Sequence, residues 1–111
     1  MSTIRQEKVA ALIKRDVGEI LMHNNNEYLP GKMLTVTVVR ISPDLSFAKV
    51  YVSIFPSDNL EGDLAKLKSH EKNVRGKLGK RVKNQLRIVP EIAFYKDDSQ
   101  DYVERIDELL G

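Results

Sequence analysis

Cysteine is absent from this chain of 111 residues, and histidine is scarce. Without cysteine there is no disulfide framework, no thiolate metal site and no thiol nucleophile. The two histidines, His23 and His70, do not belong to a cluster of the kind that a metal requires. An enzyme would need an activated nucleophile, an acid–base pair or a metal. The sequence therefore predicts a protein that is not an enzyme, with no catalytic residues, metal, cofactor or small-molecule substrate.

Long apolar runs are missing too. No stretch approaches the roughly 20 residues that a membrane-spanning helix needs, and the charged N-terminus lacks the apolar run of a signal peptide. We therefore expect a cytoplasmic protein with no membrane partner. The chain length and the 41% content of apolar residues predict one domain, residues 1–111, that buries a single core.

Carboxylates are missing from one long segment. Residues 72–87 carry seven cations, and removing those seven from the 18 Lys and Arg leaves 11 cations against 16 Asp and Glu. The net charge of +2 therefore conceals a cationic segment in an otherwise acidic chain. Cations concentrated on one element are typical of proteins that bind phosphates. We accordingly predict that nucleic acid or another polyanion is bound by Lys72, Arg75, Lys77, Lys80, Arg81, Lys83 and Arg87.

The spacing of apolar residues predicts elements in the order α-β-β-α-α-β-α. They are a helix over residues 4–22, strands over 33–41 and 47–54, a helix from 60 to about 70, a helix carrying Val74, Leu78 and Val82, a strand over 91–96, and a last helix capped by Asp97, Asp98 or Ser99. Neither the sheet nor the helices could bury their apolar faces alone. We therefore expect an α+β sandwich, with the helices on one face of a three-stranded sheet.

Three segments carry more detailed expectations. The first strand should place Leu34, Val36 and Val38 on one face, by alternation. Asp44, in the turn between the first two strands, should bond its own backbone rather than act in catalysis. Asp16 falls inside the apolar stripe of the first helix, where pairing with a neighbouring cation is the explanation that the sequence offers.

The third helix has a face of lysines directed away from its apolar stripe, and an arginine on each side of the stripe. At about 100° per residue, the lysine face contains Lys72, Lys77, Lys80 and Lys83, and the flanking arginines are Arg75 and Arg81. A solvated helix face usually interleaves both signs of charge at i, i+4 spacing, and this helix does not. Because Lys80, Arg81 and Lys83 lie off the stripe, we expect their exchange for Glu to leave the fold intact.

Two other patterns suggest RNA binding but have simpler explanations. Residues 76–79 match the Gly-x-x-Gly loop that clamps phosphates in KH domains. Leu78 belongs to the apolar stripe, so we expect a helix there and interpret the match as a coincidence. Core packing explains the aromatic residues of the strands at least as well as base stacking does; these are Phe47, Tyr51, Phe94 and Tyr95.

The run from Arg75 through Leu86-Arg-Ile-Val-Pro-Glu-Ile-Ala-Phe94 to Asp97-Asp-Ser99 resembles the signature of the bacterial ribosome-binding factor A family. Ser42-Pro-Asp-Leu45 and Ala48-Lys-Val-Tyr-Val-Ser53 match that family as well. The similarity covers residues 4–110, and the two separated motifs occur in the right order.

The resemblance implies a KH-like fold of the second topological type, α-β-β-α-α-β, which agrees with the order above. In that family an Ala-x-Gly kink separates the second and third helices. The kink falls at His70-Glu71-Lys72 in this sequence, which leaves Asn73 as a candidate for the residue that interrupts the helix, because Asn tolerates turn conformations.

The resemblance also implies a function. It is that of a monomeric, non-catalytic assembly factor that binds the free, immature small ribosomal subunit through its rRNA. Such a factor assists late maturation and rRNA end-processing, leaves before translation and is associated with growth in the cold. The alternative is a protein-only interaction module whose binding surface is the acidic segment from Asp97 to Glu108.

Overall fold

The computed structural model describes residues 3–97, whose elements follow the predicted order. The helices are α1 (Ile4–His23), α2 (Asn25–Tyr28), α3 (Leu60–Lys68) and α4 (Glu71–Val82), and the strands are β1 (Met33–Ile41), β2 (Phe47–Phe55) and β3 (Glu91–Lys96). The single turn α2 is an addition to the prediction. The predicted last helix lies outside the described residues.

Helix α1 begins at a capping box that also ties it to the sheet. The Thr3 hydroxyl accepts a hydrogen bond from the backbone N–H of Gln6 (3.1 Å), and the Gln6 side chain accepts one from the N–H of Thr3 (2.9 Å). The Gln6 amide in turn donates to the carbonyl of Ile41 at the end of β1 (3.1 Å). The apolar stripe of α1 is buried through Val9, Ile13, Val17, Ile20 and Leu21.

Strand β2 is the centre of a mixed sheet, because it pairs antiparallel with β1 and parallel with β3. The turn between β1 and β2 is organised by Asp44. Its carboxylate accepts hydrogen bonds from the hydroxyls of Ser42 and Ser46 (both 2.7 Å) and from the N–H of Ser46 (3.1 Å). These bonds, that from Ser42 above all, lower the pKa of Asp44 to about 2. Asp44 therefore bonds its own turn, as predicted.

The predicted facing of β1 is wrong beyond Val36 because the strand contains a bulge. Pairing with β2 runs regularly to Val36 and resumes at Val38, which leaves Thr37 as an extra residue. Leu34 and Val36 are buried as expected, but Val38 is 43% exposed. Val39 packs against the core in its place.

The hydrophobic core of residues 3–97 lies between one face of the sheet and the helices α1, α3 and α4. The alternation predicted for the second strand is confirmed, because β2 buries Ala48, Val50, Val52 and Ile54. The other face of the sheet, which we call the outer face, carries the side chains that alternate with these, among them Lys49, Tyr51 and Tyr95.

Helices α3 and α4 are separated by Ser69 and His70, close to the position that the family resemblance implies. The interpretation of Asn73 as the interrupting residue is wrong, since Asn73 lies inside α4. Its side-chain oxygen accepts a hydrogen bond from the hydroxyl of Tyr28 (2.6 Å), whose ring is buried. Asn73 therefore joins α2 to α4.

Leu21 and Met22 are neighbours on α1 in opposite environments, since Leu21 is fully buried and Met22 is 61% exposed. Substituting each in turn tests the packing of the core. We expect Leu21→Ala to lower the free energy of unfolding by about 2–5 kcal/mol, because it leaves a cavity in a packed core. Met22→Ala should change it by no more than about 0.5 kcal/mol. Urea unfolding followed by circular dichroism measures both, and equal losses would show that the core is not built around α1 in this way.

Candidate nucleic-acid interface

Helix α4 buries an apolar stripe, and its cations lie at the edges of that stripe and opposite it. Val74, Leu78 and Val82 have no exposed surface, so the predicted apolar stripe is confirmed. Lys80 and Arg81 occupy the last turn, where cations are stabilised by the negative end of the helix dipole. The apolar stripe therefore fixes the rotation of α4 about its axis. That rotation sets the directions in which its cationic side chains point.

The Gly-x-x-Gly match is a coincidence, as expected, because Gly76 and Gly79 both lie within α4. Gly79 faces the segment that leads into β3. A Cβ atom at Gly79 would lie 3.5 Å from a methyl group of Val89, which is ordinary contact distance. Neither glycine forms a phosphate-clamping loop.

Arg75 is held by the backbone ahead of β3. Its Nε donates to the carbonyl of Pro90 (3.1 Å), and a terminal guanidinium nitrogen donates to the carbonyl of Val89 (2.8 Å). These two bonds fix the guanidinium against the edge of the core, which agrees with its predicted place beside the apolar stripe. Arg75 thus has a structural role in the fold.

Lys77 was predicted to belong to the outward lysine face, but it is half-buried and faces α2. Its ammonium group donates to Glu27 (2.6 Å) and lies 5.0 Å from the centre of the Tyr28 ring. The hydrogen bond to Glu27 raises the pKa of Lys77 and lowers the pKa of Glu27. Lys77 therefore stays charged, but its charge is offset by a carboxylate within the protein.

Arg81 explains the buried Asp16. The Asp16 side chain is almost fully buried, and its carboxylate lies 3.3 Å from the guanidinium of Arg81 and 3.6 Å from that of Arg15. Arg81 is also hydrogen-bonded to Glu19. Pairing with a cation is the explanation that the sequence offered for Asp16, and the structure confirms it with a partner 65 residues away rather than with a near neighbour alone.

The remaining four cations of residues 72–87 are exposed and make no hydrogen bond or ion pair with any other residue of 3–97. They are Lys72, Lys80, Lys83 and Arg87. An exposed cation without an internal partner gives up no ion pair when it contacts a phosphate. These four are therefore the strongest candidates for phosphate contacts among the seven predicted residues.

A cleft beside Arg87 adds two cations that the sequence analysis did not identify. The cleft has a volume of about 670 Å³ and lies between the start of α1 and residues 85–90, with Arg5, Lys8 and Arg87 in its lining beside the carboxylate of Asp44. No local pattern places the start of α1 next to residues 85–90. The sequence alone consequently could not show that Arg5 and Lys8 belong to the same cationic region as Arg87.

Core packing explains only part of the aromatic residues on the strands. Phe94 is fully buried, as a core residue should be. Phe47, Tyr51 and Tyr95 are only half-buried. The structure therefore places Phe94 in the core and leaves part of each of the other three side chains exposed.

Within residues 3–97 no three or more His, Asp or Glu side chains come together as a metal site. Every buried side-chain nitrogen or oxygen atom of that range has a hydrogen-bond partner. None of the described helices combines the length and the apolar character needed to cross a bilayer.

Known proteins are similar to this chain in both sequence and fold. A family described as Ribosome-binding factor A matches residues 5–110. A member of that name from Cytophaga hutchinsonii is 41% identical over 111 residues, which is 100% of this chain and 84% of the relative. The crystal structure of ribosome-binding factor A from Thermus thermophilus has a TM-score of 0.68 at 31% identity, over 82% of this chain and 94% of that chain.

A second Thermus thermophilus structure is a homology model of ribosome-binding factor A fitted into a cryo-EM map of its complex with 30S. It has a TM-score of 0.64 at 30% identity, and the match covers 80% of this chain and 91% of that chain. The mixed three-stranded sheet, the helices on one face and the interrupted pair α3–α4 define a KH-like α+β domain of the second topological type. The chain belongs to the ribosome-binding factor A family, a family of ribosome-binding factors.

The pairing of Arg81 changes what its substitution should do. In Arg81→Ala the one ion-pair partner left to the buried carboxylate of Asp16 among residues 3–97 is the exposed Arg15 at 3.6 Å, so we expect a loss of about 1–3 kcal/mol in the free energy of unfolding. Arg81→Glu should be worse, because it brings like charge to Asp16 and Glu19. The expectation that Arg81 can be exchanged for Glu without harm to the fold is thus corrected.

Lys80→Ala is the matched control, because Lys80 is the exposed neighbour of Arg81 in the same turn and has no such partner in the part of the chain that the structure describes. It should change the free energy of unfolding by no more than about 0.5 kcal/mol. Asp16→Asn in the Arg81→Ala background should recover part of the loss, since a neutral amide needs no cation. Equal urea midpoints for Arg81→Ala and Lys80→Ala would contradict this account.

Proposed function

We propose that this protein binds the free, immature small ribosomal subunit through its rRNA, with phosphate contacts made by the cations of residues 72–87. The observation that carries the proposal is the set of four exposed cations that have no partner among residues 3–97, namely Lys72, Lys80, Lys83 and Arg87. The Thermus thermophilus relative fitted into the map of a 30S complex supports the choice of ribosomal subunit.

The seven cations contribute unequally. The four side chains that are unpaired within the described residues contact phosphates directly. Arg75, Lys77 and Arg81 sit at the edges of the apolar stripe, where they hold α4 against its neighbours and add to the local positive potential. Contacts of this kind position the protein on RNA and carry no base identity.

The consequence for the subunit follows from mass action, because a protein that binds one rRNA conformer better than another shifts the population toward it. The protein thereby assists late maturation and rRNA end-processing of the small subunit and leaves before translation. It acts without catalysis, as a monomer in the cytoplasm. Its contribution is greatest in the cold, where competing RNA structures rearrange slowly.

Cosedimentation tests the choice of partner. We expect the protein to travel with free small subunits and their precursors and to be absent from translating ribosomes. The variant Lys80→Glu/Lys83→Glu should lose this association, because it reverses two proposed phosphate contacts. Lys14→Glu/Lys66→Glu makes the same change in net charge at exposed sites of α1 and α3 and should bind normally. Equal occupancy of large subunits, or normal binding by the first variant, would defeat the proposal.

Salt dependence tests the number of contacts. Four phosphate contacts give a slope of log affinity against log salt of about −3 to −4, from roughly 0.7–0.9 released counterions per contact. Lys80→Gln should reduce the magnitude of that slope by about one unit and weaken binding to different RNA sequences alike. A slope near zero would show that the helix face is only solvated. It would favour the protein-only alternative, whose acidic surface runs from Asp97 to Glu108. Of that segment, the structure describes Asp97 alone.

A further inference from the structure

Tyr51 and Tyr95 stand side by side on the outer face of the sheet. They are register partners on the parallel strands β2 and β3, with ring centroids 5.6 Å apart and ring planes 31° apart. Their immediate neighbours Val50, Val52 and Phe94 point the other way and are buried. The two rings therefore lie outside the core, on the outer face of the sheet.

Three cations surround the tyrosine pair. The guanidinium carbon of Arg40 lies 5.7 Å from the centre of the Tyr51 ring, and the ammonium nitrogens of Lys49 and Lys68 lie 5.7 and 4.8 Å from the centre of the Tyr95 ring. These cations come from β1, β2 and α3, so the fold gathers them from three separate elements. Their convergence on two adjacent rings is a product of tertiary structure.

Among residues 3–97, carboxylates compensate these cations only weakly. Arg40 and Lys49 form no ion pair with any residue of 3–97. Lys68 lies 3.9 Å from Glu71, at the limit of an ion pair and on a side chain that is 42% exposed, where solvent screens the attraction. Glu71 already accepts a hydrogen bond from the N–H of Phe94 (2.7 Å). As far as the described part of the chain goes, the charge around the rings is therefore available to an anionic partner.

Aromatic rings bordered by uncompensated cations match one class of partner. Unpaired nucleotides offer bases that stack on tyrosine and phosphates that pair with lysine and arginine. A duplex has its bases already stacked, and an acidic protein would use the cations without the rings. We propose that the outer face is a second RNA-binding surface, which takes a short unpaired segment of RNA by stacking one or two bases on Tyr51 and Tyr95.

The two surfaces lie on different parts of the fold. The apolar stripe of α4 is buried in the core and its exposed cations lie on the helix, whereas the tyrosines lie on the outer face of the sheet. One protein can therefore contact a phosphate backbone with α4 and an unpaired strand with the outer face. This inference deepens the proposed function and relies on it for the origin of the RNA, which is the small-subunit rRNA, but the stacking surface can be tested separately.

The test uses the full chain, a short labelled oligouridylate and a blunt RNA duplex. We expect Tyr51→Val/Tyr95→Val to weaken oligouridylate binding by about 5- to 150-fold for each ring removed and to leave duplex binding unchanged. Valine keeps the strand propensity of these positions. Tyr51→Phe/Tyr95→Phe keeps the rings and should bind normally. Lys80→Glu/Lys83→Glu should weaken duplex binding more than oligouridylate binding.

A second measurement tests the stacking surface without the valine variant, in case that variant does not fold. Stacked bases quench tyrosine emission, and the chain has four tyrosines and no tryptophan. Oligouridylate should quench the emission of the wild type and not that of Tyr51→Phe/Tyr95→Phe. The inference is overturned if the wild type does not bind oligouridylate, if a folded valine variant binds it normally, or if Lys80→Glu/Lys83→Glu alone abolishes binding. Failure of the proposed function would instead appear as lost subunit association with oligouridylate binding intact.

Discussion

The packing of Val74, Leu78 and Val82 into the core orients α4, and the chemistry of its surface depends on that contact. Full burial of an aliphatic side chain contributes about 1.5–3 kcal/mol, so rotating α4 about its axis would forfeit most of the stability that the helix brings to the fold. The rotation is therefore fixed. Side chains at the edges of the stripe meet neighbouring elements, and side chains opposite the stripe meet solvent.

This division separates cations that are equivalent in the sequence. At the edges of the stripe, Arg81 compensates a buried carboxylate, Lys77 neutralises Glu27, and Arg75 satisfies two backbone carbonyls. Part of the acidic excess of the chain thus lies directly against the basic helix. The positive surface that a partner can contact is therefore smaller and more localised than the count of seven cations suggests.

Local periodicity was enough to predict most of the fold. Four-residue spacing predicted α4, alternation predicted β2, and β3 begins and ends where the apolar run indicated. The bulge at Thr37 escaped prediction because a bulge changes neither composition nor propensity. The partners of Arg81 and Lys77 escaped it because Asp16 and Glu27 are 65 and 50 residues distant in the chain.

Only the part of the candidate surface that is contiguous in the sequence could be predicted. The cationic segment is visible in the sequence because its residues are contiguous. The cleft between Arg5, Lys8 and Arg87, and the cations around the tyrosine pair, bring together residues from separate elements, and only the tertiary fold shows their proximity. Asn73 departs from the sequence prediction for a related reason. A residue that tolerates turns can stay in a helix when its side chain has a partner such as the hydroxyl of Tyr28.

The bulge in β1 also decides where Arg40 points. In an uninterrupted strand, Arg40 would share a face with Leu34 and Val36 and would direct a charge into the core. The extra residue Thr37 shifts the alternation, so that Val39 packs inward and Arg40 reaches the ring of Tyr51 on the other side. Loss of one codon here would invert the far half of the strand. Natural length variation should therefore be tolerated poorly at this position, even though it lies far from the basic helix in the sequence.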